Sequence, residues 1–596
     1  MARKYTGKIT TSHVERKQKN GDVYVYEEQR RYDSEKGYAV TVASKLLGVK
    51  KNGIGSILST RPRRKFVNVT QTETSPVGEV KAVRKHVGMM DIIDHIAKTS
   101  SIDEDIRAST DLPTANKILS LARYIVCSDA YSLAGIEEWQ YMHKLPYEDG
   151  INKNIYHILF KEIGRDETLQ QAFFRFRLNR EDEAGLYLAC DSTLISTYSH
   201  NLTDDIARYG YDKNKDGMPQ IKYLVLFSLK TQRSVWFTEL PGNVADVVTV
   251  NDVINELKAL GIKKVTFVTD NGYFSELNIG EMLGQGYNFI TLGDIDSKWI
   301  EPEIDKYYKT VQNIIYACPF DLDTHGFTCS ITRNFVWTRT TPSKTKKLKV
   351  GDKDIVRRTV HIHFFFNPNR KVAEDSNIKH TLFEAKEQLE SGVELTSMTD
   401  AARKIINKCC EIKYDEHGNI EKVEPNYYNF EQYCKYNGIF VLISNKEVNC
   451  FDALYWYRCR EHIEDFFRRA KSDVNMDRPA VWDKDTLRGR MFVQFVALCL
   501  YQHTENEILR VKASLREDTD ANGKAKSNEL KKSEKKLLKI LDSRSIVRIL
   551  NWFDAYDKVE ISHKLKLKRW SEPTVSYERI LLERLGIIPH DTNNKR

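Results

Sequence analysis

The sequence predicts an α/β protein in which one mixed β-sheet domain is interrupted by a β-rich insertion. Between residues 185 and 293, apolar β-rich segments alternate with segments of helical period, in the order three strands, helix, strand, helix, strand. Another buried-strand pattern, GIFVLISN at 438–445, comes only after about 140 residues of different composition, far more than an ordinary loop. We therefore expect one sheet built from two separate parts of the chain.

Upstream of the sheet we predict a basic N-terminal module, 1–88, and a helical module, 89–180. The first contains two strand patterns, DVYVYEEQRRY and YAVTVASKLLGV, followed by the basic segment RPRRKF. The second has apolar residues at intervals of three and four, as in MDIIDHIAK, which is typical of packed helices.

The sheet domain is predicted in two parts, 181–295 and 437–503, on either side of the insertion at 296–436. The insertion combines strand patterns such as VRRTVHIHFFF with Lys- and Asp-rich loops and one helical piece, HTLFEAKEQLESG. The C-terminal region, 504–596, reads as helical and basic.

Charge and hydropathy limit the class of protein. The chain of 596 residues carries a net charge of +9, and residues 1–66 alone hold 16 Lys and Arg against 6 Asp and Glu, which favours a polyanionic partner. The longest apolar run, from Met491, stops at 11 residues, short of the ~18 that a membrane span requires. No signal-peptide pattern begins the chain, so we expect a cytoplasmic protein without a membrane partner.

Two carboxylates follow buried strand patterns. Asp191 ends GLYLACD and Asp270 ends KKVTFVTD, so both are expected at the carboxyl edge of the sheet, where open α/β sheets place their sites. Carboxylates crowded there need a cation to stay ionised, and oxygen-only ligands of this kind favour Mg²⁺ or Mn²⁺. For either residue alone, a turn or helix cap is the simpler interpretation.

The segment YRCREHIEDFFRRAK, which follows the strand GIFVLISN, adds a third carboxylate. On a continuous helix of about 100° per residue, Tyr457, Arg460, Glu464 and Lys471 share one narrow face. A stripe of this length could lie along about six phosphates at 3.4 Å each; an ordinary amphipathic helix with a solvated charged face is the alternative. The neighbouring stripe is apolar and consists of Trp456, Ile463, Phe466 and Ala470.

With these residues the sequence resembles bacterial insertion-sequence transposases of the DDE type. Their signature is Tyr, two residues, Arg, three residues, Glu, six residues and Lys, and Tyr457, Arg460, Glu464 and Lys471 reproduce it without deviation. The contexts ACDSTLIS and VTDNGYFS resemble the two aspartate motifs of that family. The resemblance covers about 185–503.

The resemblance implies an RNase H-like catalytic core and a DNA transposase that cleaves at transposon ends and joins the 3′-OH ends to target DNA. Asp191, Asp270 and Glu464 would be catalytic and would hold two Mg²⁺ or Mn²⁺ ions. The phosphates of the transposon ends would be held by Tyr457, Arg460 and Lys471, and Trp337 is the candidate for capturing a flipped base. A homodimer in a synaptic complex is expected on the same basis.

Recognition of the terminal inverted repeats needs a further surface, because phosphate contacts carry no sequence information. We expect it in the basic N-terminal module, which contains Arg61, Arg63, Arg64 and Lys65, together with the helical module after it. Two other functions stay open at this point: a nuclease of the same fold that does not join strands, and a transposase-derived DNA-binding protein without catalysis.

Overall fold

The structure, a computed structural model, describes most of the chain, in two compact units. The described residues are 9–18, 21–33, 37–50, 81–128, 132–181, 186–203, 205–210, 217–343, 345–415, 420–477, 479–517, 530–562 and 576–587. The two units are Met1–Glu79 and Val80–Arg596.

The first unit contains an antiparallel three-stranded sheet of β1 (Thr10–Lys17), β2 (Val23–Asp33) and β3 (Tyr38–Lys50), in that order. The second and third strands coincide with the two predicted strand patterns. Glu28 is buried in the sheet and is paired with Arg16 and Arg30. The segment RPRRKF, with the predicted DNA-binding residues Arg61, Arg63, Arg64 and Lys65, lies outside the described residues.

The second unit combines a large sheet with many helices. Its strands are β4 (Lys81–His86), β5 (Tyr187–Ser196), β6 (Gln220–Ser228), β7 (Arg233–Pro241), β8 (Thr266–Thr269), β9 (Asn288–Gly293), β10 (Ala317–Cys318), β11 (Asp321–Thr338), β12 (Lys353–Phe366), β13 (Cys410–Tyr414), β14 (Ile420–Pro425), β15 (Ile439–Ser444) and β16 (Asp557–Ser562). Its helices are α1 (Gly88–Thr99), α2 (Ile102–Ser109), α3 (Leu112–Cys127), α4 (Ile136–Met142), α5 (Lys153–Arg165), α6 (Glu167–Asn179), α7 (His200–Thr203), α8 (Asp246–Ala259), α9 (Glu276–Gln285), α10 (Glu301–Tyr307), α11 (Pro368–Glu390), α12 (Asp400–Cys409), α13 (Tyr427–Tyr433), α14 (Cys450–Arg458), α15 (Glu461–Ser472), α16 (Lys484–Glu517), α17 (Leu530–Ser543), α18 (Ile546–Trp552) and α19 (Ser576–Arg584).

Within the described residues, the large sheet has nine strands in the order β10-β11-β12-β15-β9-β8-β5-β6-β7. The strands β5, β8 and β9 run parallel to one another, and the other neighbours are antiparallel. Every residue of β6 is buried, as its continuous apolar pattern requires for a central strand covered on both faces. The predicted succession of strands and helices from 185 to 293 is confirmed, and β15 joins the same sheet beside β9.

Most strands of the predicted insertion belong to the large sheet, and only β13 and β14 pair separately among the described residues. Strands β10, β11 and β12 extend the large sheet beyond β15, because the buried run of β12 pairs with β15 from His361 to Phe366. The rest of this segment is more helical than the sequence indicates: α11 begins at Pro368, twelve residues before the predicted helical piece at His380. It packs against α12 and the β13–β14 hairpin around a small separate core.

Helix α16 runs through the core of the second unit. It contains the apolar run from Met491, which is buried from Met491 to Thr504, so the predicted boundary between 503 and 504 falls inside a helix. Two glycines allow its backbone to contact α5 closely: a Cβ on Gly489 would lie 1.8 Å from the carbonyl oxygen of Phe160, and one on Gly164 would lie 1.8 Å from that of Asp485.

None of the helices in the described part of the chain is long and apolar enough to cross a membrane. All ten cysteines are free thiols, and most of them are buried, as the absence of paired spacings in the sequence predicts.

Candidate active site

Three predicted carboxylates converge on one arginine side chain at the carboxyl ends of the parallel strands β5 and β8. Nη1 of Arg460 lies 2.9 Å from Oδ2 of Asp191, and Nη2 lies 3.4 Å from Oδ2 of Asp270 and 3.4 Å from Oε1 of Glu464. Because Oδ2 of Asp270 and Oε1 of Glu464 both lie 3.4 Å from the same nitrogen, these two oxygens are separated by no more than twice 3.4 Å. The fold thus brings together three acidic groups that are distant in the chain.

Two adjacent parallel strands position the aspartates. Cys190 of β5 is paired with Thr269 of β8, and Asp191 and Asp270 each follow by one residue. The prediction that a strand ends at the Asp is confirmed for β8 and wrong for β5, which continues to Ser196. Backbone amides hold both carboxylates: the N–H groups of the next residues donate to Oδ1 of Asp191 at 2.8 Å and of Asp270 at 2.9 Å.

The segment that carries Glu464 is two helices instead of the one predicted. Helix α14 ends at Arg458 and α15 begins at Glu461. Between them the amide of Ile463 donates to the carbonyl of Arg460 at 2.9 Å, a hydrogen bond between residues three apart, as in a 3₁₀ turn. Arg460 is therefore the N-cap residue of α15 and points to the sheet edge. The single stripe from Tyr457 to Lys471 is consequently broken.

Apolar contacts fix both helices on the sheet, as the second stripe predicts. Ile463, Phe466 and Ala470 are buried on α15. On α14, the ring of Trp456 stacks on Tyr187 of β5 with centroids 4.2 Å apart. This packing sets the position from which Glu464 and Tyr457 reach the aspartates.

Burial raises the pKa of two groups in the site. Burial raises the pKa of the Asp191 carboxyl to about 6, although Arg460 acts in the opposite direction. Burial and the neighbouring Asp270 also raise the pKa of the Tyr457 hydroxyl, which stays protonated and donates to Oδ1 of Asp270 at 3.0 Å. At Asp191 burial thus outweighs the attraction of the guanidinium, which by itself does not restore the usual pKa of this carboxyl.

A fourth carboxylate, beside the three of the site, was missed by the sequence analysis. Asp246, at the start of α8, accepts from Oγ of Ser192 at 2.7 Å and from Nζ of the buried Lys222 at 2.6 Å. The signal was present in QIKYLVLFS, since a lysine in the middle of a buried strand requires an anion next to it. Asp246 thus links Ser192, the neighbour of Asp191 on β5, to Lys222 of β6.

The other predicted site residues lie apart from this cluster. Lys471 is half-buried on the last turn of α15, two turns beyond Glu464. Trp337 is buried against α9, where a Cβ on Gly284 would lie 2.1 Å from its ring. Register places Trp337 nine residues from the level of Asp270, roughly 30 Å along the strands at 3.3 Å per residue, and its role in capturing a flipped base stays a prediction.

The donor set suits a hard divalent cation. Carboxylate oxygens are the ligands that Mg²⁺ and Mn²⁺ prefer, and a bound cation would favour the ionised form of the buried Asp191 carboxyl. Among the described residues, no group of three His, Cys, Asp or Glu is already arranged to hold a metal ion. Arg460 occupies the point on which the carboxylates converge, so it has to move for them to close around an ion.

Comparison with known proteins identifies the family. Residues 185–500 match the Transposase DDE domain, nearly the range of the resemblance seen in the sequence. Because this match covers more than half of the chain, the protein belongs to the Transposase DDE domain family. It is a DDE transposase.

Comparisons with whole proteins add one structure. No curated protein matches the chain. Among the solved structures that match is the cryo-EM structure of a piggyBac transposase synaptic complex with hairpin DNA, which is 11% identical, with 85% of this chain and 84% of that chain covered and a TM-score of 0.32.

Proposed function

We propose that this transposase binds the inverted repeats at its transposon ends, hydrolyses phosphodiester bonds there and joins the freed 3′-OH ends to target DNA. The observation that carries the proposal is the convergence of Asp191, Asp270 and Glu464 on a single cationic point. The order β7-β6-β5-β8-β9, with β5, β8 and β9 parallel, supports an RNase H-like core. The segment 296–436 is then an insertion between the second and third carboxylates.

The three carboxylates are the proposed ligands of two Mg²⁺ or Mn²⁺ ions, which when bound supply an activated water and stabilise the leaving 3′ oxygen. Tyr457 orients Asp270 through its hydroxyl, and the amide of Ser192 orients Asp191. These hydrogen bonds fix the acceptor oxygens before DNA arrives, which is the form of preorganisation that catalysis needs.

The cationic side chains near the carboxylates are the proposed phosphate contacts. Arg460 can exchange its carboxylate partners for a phosphate, since a guanidinium forms bidentate pairs with either anion. Lys471 lies on α15 two turns beyond Glu464. The segment from Arg460 to Lys471 can therefore reach phosphates on both sides of a cleaved bond. In the proposed synaptic homodimer, each protomer presents one such segment to a transposon end.

The proposed function is tested by a strand-transfer assay with Mg²⁺, supercoiled target plasmid and a duplex ending in the terminal repeat that flanks this gene, with its 3′-OH already exposed. We expect linear or circular joined products. Cleavage of an uncut end without joining identifies a nuclease, and DNA binding with neither reaction identifies an inactive DNA-binding protein; either result contradicts the proposal.

We predict that Arg460→Gln increases the affinity of the DNA-free protein for Mn²⁺. The guanidinium occupies the centre of the carboxylates, and its removal takes away a competing positive charge about 3–4 Å from each of them. We expect at least about a tenfold lower dissociation constant, equal to about 1.4 kcal/mol, measured by calorimetric titration.

The matched control is Arg458→Gln, two residues earlier, because Arg458 pairs with Asp321 instead. This variant should bind Mn²⁺ as the natural protein does. Equal or weaker Mn²⁺ binding by Arg460→Gln would show that the guanidinium does not compete with a cation at this site.

A further inference from the structure

We propose that three residues hold the first aspartate of the site in position: Ser192, Asp246 and Lys222. This inference rests on the proposed function, in which Asp191 is a metal ligand. Nζ of Lys222 donates to Oδ1 of Asp246 at 2.6 Å, and Oγ of Ser192 donates to the same oxygen at 2.7 Å. The amide of Ser192 in turn donates to Oδ1 of Asp191 at 2.8 Å. A continuous series of hydrogen bonds therefore leads from β6 to the Asp191 carboxylate.

The three residues act from the face of the sheet opposite to Asp191. Side chains alternate between the two faces along a strand, and Tyr187, which stacks on α14, shares its face with Asp191 four residues later. Ser192 therefore points to the other face, where it meets the start of α8. Lys222 is paired with Leu194, two residues from Ser192, so its side chain lies on that same face. The Asp191 carboxylate thus faces the site, and the residues that hold it lie on the far side of the sheet.

Stability alone does not account for the ion pair between Lys222 and Asp246. Lys222 is 6% exposed in a strand whose residues are all buried. Replacing a buried ion pair by apolar side chains of similar volume is often neutral or stabilising, and an apolar residue at 222 would continue the pattern of β6. What the lysine does supply is a fixed position for Oδ1 of Asp246, the same atom to which Ser192 donates. We therefore assign the ion pair to the placement of Ser192.

The start of α8 is also fixed to the turn that carries the second aspartate. A Cβ on Gly272 would lie 3.6 Å from Oδ2 of Asp246, an ordinary van der Waals distance. The buried Asn278 of α9 donates through Nδ2 to the carbonyl of Val247 at 2.7 Å and to that of Tyr273 at 2.9 Å. Asp246 therefore has a defined position relative to the carboxyl ends of both β5 and β8, and it can fix the spacing of the two aspartates.

A carboxylate that binds a metal ion needs a fixed orientation, and the groups that hydrogen-bond it supply that orientation. Oδ1 of Asp191 accepts from the amide of Ser192, whereas Oδ2 is directed at Arg460, on the side where the carboxylates converge. A shift of the Ser192 backbone would leave the Asp191 carboxylate free to rotate. The hydroxyl contact with Asp246 prevents that shift. Ser192 and Asp246 are therefore determinants of metal affinity that do not contact the ion.

The test removes the Ser192 hydroxyl and keeps the amide. Mn²⁺ is titrated by calorimetry into the DNA-free Ser192→Ala protein, and strand transfer is measured over a range of transposon-end concentrations. We expect about tenfold weaker Mn²⁺ binding, at the lower end of the effect of removing a partner of a metal ligand. The maximal rate of strand transfer should fall as well, while the half-saturating DNA concentration is unchanged, because Arg460 and Lys471, the proposed phosphate contacts, stay in place.

The matched control is Ser196→Ala. Ser196 lies on the same strand and the same face as Ser192, and its buried hydroxyl has no hydrogen-bond partner in the described part of the chain. This variant should bind Mn²⁺ and join DNA as the natural protein does.

A second variant tests whether Ser192 acts through Asp246. Lys222→Met together with Asp246→Ala removes one positive and one negative charge, so the net charge of the chain is unchanged. The Mn²⁺ affinity of this charge-pair variant should fall by the same factor as that of Ser192→Ala. Adding Ser192→Ala to it should cause no further loss, because substitutions within one hydrogen-bond network are not additive.

Two results overturn the positioning proposal and leave the proposed function standing. One is a natural Mn²⁺ affinity in Ser192→Ala. The other is a larger loss in the charge-pair variant than in Ser192→Ala, which would show that Asp246 acts on the ion itself. A natural protein that binds no Mn²⁺ and joins no DNA overturns the proposed function instead.

Discussion

Replacing Glu464 with Gln is expected to stop both DNA cleavage and strand transfer while DNA binding is kept. The amide has nearly the shape of the carboxylate but lacks the charge that a divalent ligand set needs. Loss of metal-based stabilisation amounts to several kcal/mol of transition-state free energy, and each ~1.4 kcal/mol is about tenfold in rate. Activity should therefore fall at least about a thousandfold, and Asp191→Asn should have the same effect.

The control for this prediction is Asp465→Asn on the next residue of α15. Asp465 pairs with Arg468 on its own helix, whereas Glu464 pairs with Arg460, so the Asp465 variant should cleave and join at the natural rate. Cleavage is measured on a labelled transposon-end duplex and binding by gel shift on the same duplex. A Glu464→Gln protein that still cleaves within tenfold of the natural rate would remove Glu464 from the catalytic set.

The positions of Asp191 and Asp270 were predictable because a strand pattern can be recognised locally, and the pairing of parallel strands then places their carboxyl ends together. When each of two parallel strands has a buried apolar segment followed by Asp, both carboxylates lie at the carboxyl ends of the strands, however long the sequence that connects them. The spacing from Tyr457 to Lys471 was equally visible in the sequence. These patterns were sufficient to select the three carboxylates that the structure brings together at Arg460.

The break between α14 and α15 was not predictable from the local sequence. The segment YRCREHIEDFF contains no Gly or Pro, and its period is that of one continuous helix. Arg460 is drawn to carboxylates that come from β5 and β8, so the turn is a consequence of tertiary contacts. The Asp246–Lys222 pair was missed because a lysine in the buried pattern QIKYLVLFS requires a neighbouring anion but does not indicate by spacing which residue supplies it.

A buried network of charged residues outside the active site is expected to contribute strongly to the stability of the fold. Asp105 of α2 is 1% exposed and accepts from Nη1 of Arg177 at 3.1 Å and from Nη2 of Arg180 at 2.6 Å. Arg177 also donates to Nε2 of His503 on α16 at 2.8 Å. Burial, together with the nearby Arg233 and Arg177, lowers the pKa of His503 to about 2, so His503 is neutral and can accept. The network thus joins α2, α6 and α16.

Asp105→Ala is expected to lower the free energy of unfolding by about 3–5 kcal/mol, because it leaves the buried Arg177 guanidinium without its carboxylate. Asp105→Asn keeps the shape of the side chain and one acceptor oxygen, so it should lower the free energy of unfolding by less. Glu104→Ala is the matched control: Glu104 is 75% exposed and also pairs with Arg180, and exposed pairs contribute at most about 1 kcal/mol. Urea unfolding followed by circular dichroism measures all three. Equal midpoints for Asp105→Ala and Glu104→Ala would mean that water replaces the lost carboxylate, and that packing along α16 holds the three helices together without this ion pair.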